Sequence, residues 1–486
     1  MNFSSLFLCA MPALKINDES DNGIVEKKED DNMTEDERIG AQGLLSLVLS
    51  LPEEVKLPNF TLGREEKFLD FLFPEWVELS SQRVECEEWI CERIIRGVRI
   101  TPLKAGEFKI PIRYTAQGRE CILNLTVNPD PWTLWKVNEP QECDFVFDED
   151  RKRRDEDHHQ NMIAYESEKL MVLGASRRGR SHEHAGSFRD DDMGFWKDES
   201  TGRYFFIVSD GAGSCKYSRE GSRLVIKHIL EKVDANITEE DWKVEGKDLS
   251  PSGKIGMKLA GLVNYAREKI KEYVDDENGK HPEKLWSLKD FSATILIAAV
   301  KMDPDGGLRI VTFSIGDGAI AWKVGDCAHV MNSPDSGEFG GGTRFFTSPE
   351  VWAKIFSKRD NLLWTWENFC DSRVQCKCFT PQEAEQVSLF LMSDGVSDPW
   401  FETDADLLSS KRWVDFVDGV LMEEGVNKAS LLLEEGAEKN ARRLLDWLDF
   451  KIPGNHDDRT IIAVFASGVH ENHSDNWKDV KNAQGR

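Results

Sequence analysis

The chain has 486 residues, more than one compact core usually organises, so two folded units joined by linkers are expected. Its 62 basic and 88 acidic side chains leave a formal net charge of −26, which repels phosphate backbones and anionic lipid and excludes nucleic acid and membrane surfaces as partners. The ten cysteines are scattered, form neither a dense disulfide framework nor paired CxxC knuckles, and point to a reducing compartment.

The opening residues MNFSSLFLCAMPAL lack a basic start and a small-residue cleavage pattern, and no later apolar run spans a bilayer, so a cytoplasmic location is expected. The charged and polar stretch from Asn17 to Glu37 cannot offset its ordering entropy by burial, and residues 1–57 are expected to form a disordered acidic leader with a short helix. From 58 to 140 the pattern changes to period two. Phe108, Ile110, Ile112 and Tyr114 share one strand face, Cys121, Leu123, Leu125 and Val127 repeat the pattern after a turn at 116–118, and Pro111 marks the first strand as an edge. The segment ITPLKAGEFKIPIRY…CILNLTVNPDP resembles Ig-like modules, which implies a small all-β sandwich. The mixed charge run DEDRKRRDEDHHQ then predicts a linker over 141–168, with His158 and His159 as solvated linker residues.

Between 169 and 468 strands and amphipathic helices come in blocks. Val225, Ile229 and Val233 fall at i, i+4 and i+8 after a capping Ser218, and Leu259, Leu262, Val263, Ala266 and Ile270 mark a second helix. Hairpins grouped with helix pairs predict a layered α+β domain. Cys370, Cys376 and Cys378 lack the fourth ligand a structural zinc site needs. A polar tail is expected over 469–486.

Aspartates end the apolar strands of this block. FFIV runs into Ser209-Asp210-Gly211, and LFLM runs into Ser393-Asp394-Gly395. Singly, each Asp-Gly reads as an ordinary turn. The segment RDDDMGFW, the turn DESTG and the strand FFIVSDG predict a hairpin, which brings Asp191 and Asp210 to one sheet edge. If the strand before Asp394 and the strand TIIAVF after Asp457 and Asp458 are antiparallel neighbours, these carboxylates also meet at one edge. The hairpin SATILIAAV…LRIVTFSIGDG adds Asp317. Five strand-end carboxylates suit Mg²⁺ or Mn²⁺, which take oxygen ligands and several waters, and Gly211 allows a tight turn that turns its carbonyl toward a cation.

Taken in order, GASRRGRSHEHAGSFRDDDM, FFIVSDGAGSCKYSREGS, FSATILIAAV, FSIGDGAIAW, FLMSDGVSDPW and DDRTIIAVF resemble the metal-dependent Ser/Thr protein phosphatases of type 2C, the PPM family, and the DGAGSxxxSxxGS and GEFGGGTRFFTS wording is most similar to its bacterial branch. The resemblance implies two antiparallel sheets packed face to face with helices outside, a four-layer α-β-β-α sandwich. It implies that Asp210 bridges two Mn²⁺ or Mg²⁺ ions, that Gly211 lends its carbonyl, that Asp394 and Asp457 ligate one cation, that Asp191 is the acid of the N-E-D-like motif with Asp190 beside it, and that Asp317 lies near a third. In the DDRT wording Asp457 takes the ligand position and Asp458 the adjacent polar one.

The activity so implied is hydrolysis of phosphoserine and phosphothreonine by water bridging two cations about 3.5–4 Å apart, with no phosphoenzyme. Ser209, Ser214 and Ser393 are accordingly turn and capping residues. Two departures stand out. Many members carry a histidine directly after the bridging Asp-Gly, where this chain has Ala212, and the substrate-binding arginine has no clean counterpart. His182 or His184 is a substitute acid or phosphate contact, and Arg180, Arg189 or Arg344 a phosphate fork. A phosphorylated protein is the expected partner, from a cognate Ser/Thr kinase or its target. The alternative is a pseudophosphatase that binds a phosphorylated partner or a kinase, favoured by Ala212 and opposed by the retained aspartates.

Overall fold

The computed structural model describes residues 53–63, 68–73, 83–95, 97–114, 119–140, 160–243, 252–283, 285–332, 336–337, 341–355, 373–425 and 427–466. The leader up to residue 52, the turn at 116–118, His158, His159, Cys370 and the tail 469–486 lie outside the described residues. Two compact units divide the chain, Met1–Lys136 and Val137–Arg486.

Among its described residues the first unit forms two sheets, followed by a single helical turn at Pro131–Leu134. Its strands are β1 (Glu54–Lys56), β2 (Phe60–Thr61), β3 (Leu69–Leu72), β4 (Arg83–Glu85), β5 (Trp89–Ile94), β6 (Gly97–Pro102), β7 (Gly106–Tyr114) and β8 (Arg119–Asn128). The alternating segment forms the expected β7–β8 hairpin, with Ile110 opposite Leu123 and Ile112 opposite Cys121. β1 and β2 run parallel to β8 on its other side, so β7 is an edge strand, where Pro111 removes no ladder bond from a second neighbour. The second sheet runs β3-β6-β5-β4. Trp89, Cys91, Val98 and Ile100 from it pack against Ile110, Cys121, Leu123, Leu125 and Val127 from the first. β1 already begins at Glu54, so strand structure starts inside the stretch expected as leader. Leu123 is wholly buried in this small core. Leu123→Ala is expected to cost ~2–5 kcal/mol, read as faster amide exchange in β7 and β8; a loss under about 1 kcal/mol would show that this core is not what holds the unit together.

The second unit contains β9 (Gln160–Glu166), β10 (Leu170–Arg177), α1 (Arg180–Ala185), β11 (Asp192–Asp198), β12 (Arg203–Ser209), α2 (Ser218–Leu230), α3 (Ser252–Lys280), β13 (Ile295–Met302), β14 (Leu308–Ile315), β15 (Ala319–Val324), β16 (Cys327–Val330), the pair β17 (Ser336–Gly337) and β18 (Gly341–Thr343), β19 (Val374–Phe379), β20 (Ser388–Met392), α4 (Ser410–Phe416), α5 (Ala437–Trp447) and β21 (Arg459–Ala466). The strands make two antiparallel sheets, β16-β15-β20-β21-β10-β9 and β11-β12-β13-β14-β19. Alternation along each strand then builds three layers of core. Tyr204, Phe206 and Val208 of β12, with Leu296, Ala298 and Val300 of β13, face Leu389 and Leu391 of β20 and Ile462 and Val464 of β21 between the sheets. The intervening Phe205, Ile207, Ile295 and Ile297 pack outward on α2 and α3. Phe390, Met392, Ile461 and Phe465 pack outward on α4 and α5. Strands covered on both faces explain the unbroken apolar runs of the sequence, and the expected α-β-β-α sandwich is the observed one.

Two expectations need correction. Ser218 is the first residue of α2 and not its cap; the cap position belongs to Tyr217, and the helix ends before Val233, which opens a separate turn. The linker expected over 141–168 is also too long, because β9 completes the first sheet and pairs with β10 from Glu166 back to Gln160. Its Met162 and Ala164 face one core while Ile163 and Tyr165 face the other, an alternation hidden by the charged run before it.

Candidate active site

Register brings the aspartates together at one end of both sheets. Asp192 pairs with Ser209 at the open end of the β11–β12 hairpin, which sets Asp191 beside Asp210 as expected. Ile315 pairs with Ile295 at the same end, and the chain then crosses to the other sheet through Gly316, Asp317 and Gly318. There Ala319 pairs with Met392, and Met392 with Ile461, so Asp317, Asp394 and Asp457 sit at neighbouring strand ends. One carboxylate oxygen each from Asp210, Asp317 and Asp394 lies within 4.8 Å of the others.

Hydroxyls brace this group. Ser393 Oγ donates to Asp191 Oδ2 at 2.8 Å and accepts Thr460 N at 3.0 Å. Ser209 Oγ donates to Thr294 O at 2.6 Å, while Asp210 N donates to Thr294 Oγ1 at 3.0 Å. Thr343 Oγ1 of β18 donates to Asp317 Oδ2. Ser209 and Ser393 are thus struts, as their turn positions imply. Close approach of the backbone to Asp190 also calls for glycine at 211. Its backbone is not left-handed; a Cβ there would lie 2.8 Å from Asp190 O and 2.9 Å from Asp190 Cβ. Gly395 is equally constrained, since a Cβ would lie 1.9 Å from Asp458 O.

The carboxylates crowd one another. Burial, then the charge of Asp458, pushes Asp191 well above the usual carboxylate range. Burial, then Asp191 and Asp394, does the same to Asp210. Burial and Asp317 push Asp394 up to about 7, and burial and Asp458 raise Asp457. Asp191 Oδ1 and Asp394 Oδ1 are buried with no hydrogen-bond partner among the described residues. Buried acceptors left unbonded inside a cluster of like charges are costly unless a cation completes them, and an all-oxygen donor set is the one Mn²⁺ and Mg²⁺ prefer. The residues fit such ions.

Asp458, expected at the polar position beside the ligand, joins several segments of the site. Its carboxylate accepts Gly179 N at 2.6 Å and Asp190 N at 2.5 Å, and lies 2.9 Å from His182 Nδ1. Burial alone would raise it, but the His182 charge and these backbone donors hold it below the usual range. His182 Nε2 lies 3.8 Å from Asp190 Oδ2. Burial would lower the imidazole, yet Asp458, with Asp190 and Asp457, pushes it up to about 9. Asp190, pushed up to about 7 by burial and Asp458, also accepts Ser218 Oγ at 3.0 Å. His184, on the same helix, is exposed.

Of the arginines, Arg180 is committed to Glu183 at 2.8 Å and Asp449 at 2.5 Å. Arg189 is only 3 % exposed, 3.9 Å from Asp192, and a guanidinium sealed from water is poorly placed to fork the phosphate of a soluble protein. That expectation is corrected by burial. Arg344 is half-buried and follows Thr343, which holds Asp317. Sequence reasoning also missed Asp398, raised by burial and then by Asp317. The wording DGVSD carried the signal, since Asp394 and Asp398 stand four apart on one helical turn.

The family model described as Protein phosphatase 2C matches residues 178–445, more than half of the chain. No curated protein matches the chain. Solved structures similar to it include the serine/threonine phosphatase PstP/Ppp of Mycobacterium tuberculosis, at 16 % identity over 61 % of this chain and 98 % of that one with a TM-score of 0.32. The catalytic domain of PstP in complex with two manganese ions is similar at 14 % identity, over 61 % of this chain and 98 % of that one, with a TM-score of 0.33. The photosystem II phosphatase PBCP is similar at 15 % identity, over 62 % of this chain and 99 % of that one, with a TM-score of 0.34. With its α-β-β-α sandwich and its carboxylates gathered at one end, the chain belongs to the protein phosphatase 2C family of metal-dependent protein-serine/threonine phosphatases.

Proposed function

We propose that this chain removes phosphate from phosphoserine and phosphothreonine in proteins by direct attack of water, with two Mn²⁺ or Mg²⁺ ions held by Asp191, Asp210, the Gly211 carbonyl, Asp394 and Asp457, and with Asp317 near a third. The observation that carries the reading is the pair of buried, unbonded oxygens on Asp191 and Asp394 within a set of mutually repelling carboxylates. When bound, such a pair of cations lowers the pKa of water and neutralises the phosphoryl oxygens. The chain's own groups supply the rest. Ser393 and Thr294 fix the rotamers of Asp191 and the turn of Asp210. His182, the imidazole within 4 Å of Asp190 and Asp458, takes the part of proton donor to the leaving oxygen in place of the histidine that Ala212 lacks. Arg344 takes the phosphate. Ser209 Oγ donates to a backbone carbonyl and Ser393 Oγ to the Asp191 carboxylate, so both hydroxyls are spent on bracing the site, which fits hydrolysis without a covalent intermediate.

The partner in this reading is a phosphoprotein produced by a Ser/Thr kinase, met in the cytoplasm, where free cysteines such as Cys378 persist. No helix among the described residues is long and apolar enough to cross a membrane. A second reading, a pseudophosphatase that only binds phosphoproteins, rests on Ala212, which is buried at the family's histidine position. Phosphopeptide hydrolysis with added Mn²⁺ separates the two. Turnover that stops with chelator and falls at least ~100-fold in Asp394→Asn is expected; Mn²⁺ binding by calorimetry without any turnover would give the second reading.

A further inference from the structure

The chain enters the phosphatase unit through Val137–Pro140, directly after the first unit ends at Lys136. Asn138 is tied to α1 at two points and to Arg178 just before it at a third. Its backbone N–H donates to Glu183 O at 2.9 Å, its side-chain Nδ2 donates to His184 O at 2.5 Å, and its carbonyl accepts Arg178 at 2.7 Å. The same Arg178 terminal nitrogen donates to His182 O at 2.9 Å. Arg178 is buried, so the two bonds from this one terminal nitrogen are made in a dry setting where each counts for more. The carbonyls of three successive residues, His182, Glu183 and His184, are therefore held from one side by Asn138 and Arg178.

A six-residue helix cannot hold its own shape, because its last turn leaves carbonyls without intrahelical partners. α1 closes instead on Gly186 in the left-handed conformation and on this outside clamp. What the clamp fixes is the backbone that carries His182, whose ring reaches Asp458 on one side and Asp190 on the other. The opposite end of α1 is pinned independently, by Gly179 N on Asp458 and by Ser181 on His456 O at 2.8 Å. The end bearing His182 and His184 is held by Gly186 N–H and Ser187 N–H on His182 O and, from outside, by the entering segment.

We propose that Asn138, with Arg178, is a positioning residue for the active site, and that the segment joining the two units is a working part of the catalytic unit that sets the place of His182. The proposal rests on the reading of His182 as a functional group of this site. It gives the covalent attachment of the first unit a consequence: whatever displaces Val137–Pro140 loosens the end of α1 that faces the carboxylates.

The test uses the full chain. Asn138→Ala is expected to lower kcat for phosphopeptide about 10-fold with KM little changed, and to speed amide exchange in residues 182–186. A structural role alone would act equally with or without the imidazole, so the deciding step is a double-mutant cycle. In His182→Gln, which itself lowers kcat, Asn138→Ala should cost nothing further. Additive losses, or unchanged exchange in residues 182–186, would overturn the proposal. If the wild-type chain hydrolyses no phosphopeptide, the functional reading fails on its own, while amide exchange still reports whether the clamp holds α1.

Discussion

Asp210→Asn is expected to abolish phosphopeptide hydrolysis, by at least ~1,000-fold, and at the same time to make the metal-free protein more stable. Both effects come from one fact. Asp210 is buried between Asp191 and Asp394, and burial followed by those two charges raises its pKa well above the usual range. A carboxyl whose pKa is raised in the fold binds more protons folded than unfolded, so its ionisation costs stability at neutral pH, about 1.4 kcal/mol for each unit. Asparagine keeps the shape and the backbone bond from residue 210 to Thr294 Oγ1 while removing the charge. A gain of about 2–4 °C in melting temperature with chelator present follows for each kcal/mol relieved. In the wild type, Mn²⁺ at 100 times its dissociation constant should add about 2.7 kcal/mol, and this gain should largely vanish in the variant. Thermal melts with chelator and with Mn²⁺ read both. A variant less stable than wild type with chelator, yet stabilised equally by Mn²⁺, would mean that the cluster is not strained by a missing cation.

How much of this was legible depends on whether a residue leaves a pattern along the chain. The sheet end could be read from strands that run straight into Asp-Gly, because alternation and turn chemistry fix hairpin register and register fixes which termini meet. That reasoning reached Asp191 and Asp210 through the pairing of Asp192 with Ser209, and Asp394 and Asp457 through that of Met392 with Ile461. Burial of polar groups leaves no such mark. Arg189 and Arg344 look alike in sequence, yet the first is sealed beside Asp192 and the second stays half-exposed beyond Thr343. Contacts made through backbone atoms are equally silent, since Asn138 reaches Glu183 and His184 by groups any asparagine carries, 46 residues away in the longer case. β9 went unseen for a third reason. A charged run overlapped its start, and an edge strand with exposed Gln160 and Glu166 at its ends resembles a linker until Met162, Ile163, Ala164 and Tyr165 are sorted by face.

The two aspartates before β21 should part company when each is replaced. Asp458 is 2 % exposed, and its oxygens accept Gly179 N and Asp190 N and face His182 at 2.9 Å, so its carboxylate joins the start of α1, the approach to β11 and the start of β21. Asp458→Ala strands two buried N–H donors and an imidazole at once, and a loss of ~3–5 kcal/mol is expected, as for removal of one partner from a buried charged network. Asp457 is exposed over its residue surface although its carboxyl end sits deep enough for burial to raise its pKa, and its carboxylate accepts only the N–H of its neighbour Asp458 at 2.8 Å among the described contacts, so Asp457→Ala should change stability by less than about 1 kcal/mol. Activity should follow the opposite logic. Asp457→Ala should bind Mn²⁺ more weakly and recover part of its turnover at high Mn²⁺, because the fold that positions the other carboxylates is intact. Asp458→Asn offers the discriminating control: an amide oxygen can still accept one of the two backbone N–H groups, so about half of the lost stability should return without added metal. Urea unfolding and calorimetric Mn²⁺ titration of the three variants settle the division. Should Asp457→Ala prove the destabilising change and Asp458→Ala the one rescued by Mn²⁺, the roles of the two neighbours are reversed and Asp458 is the ligand.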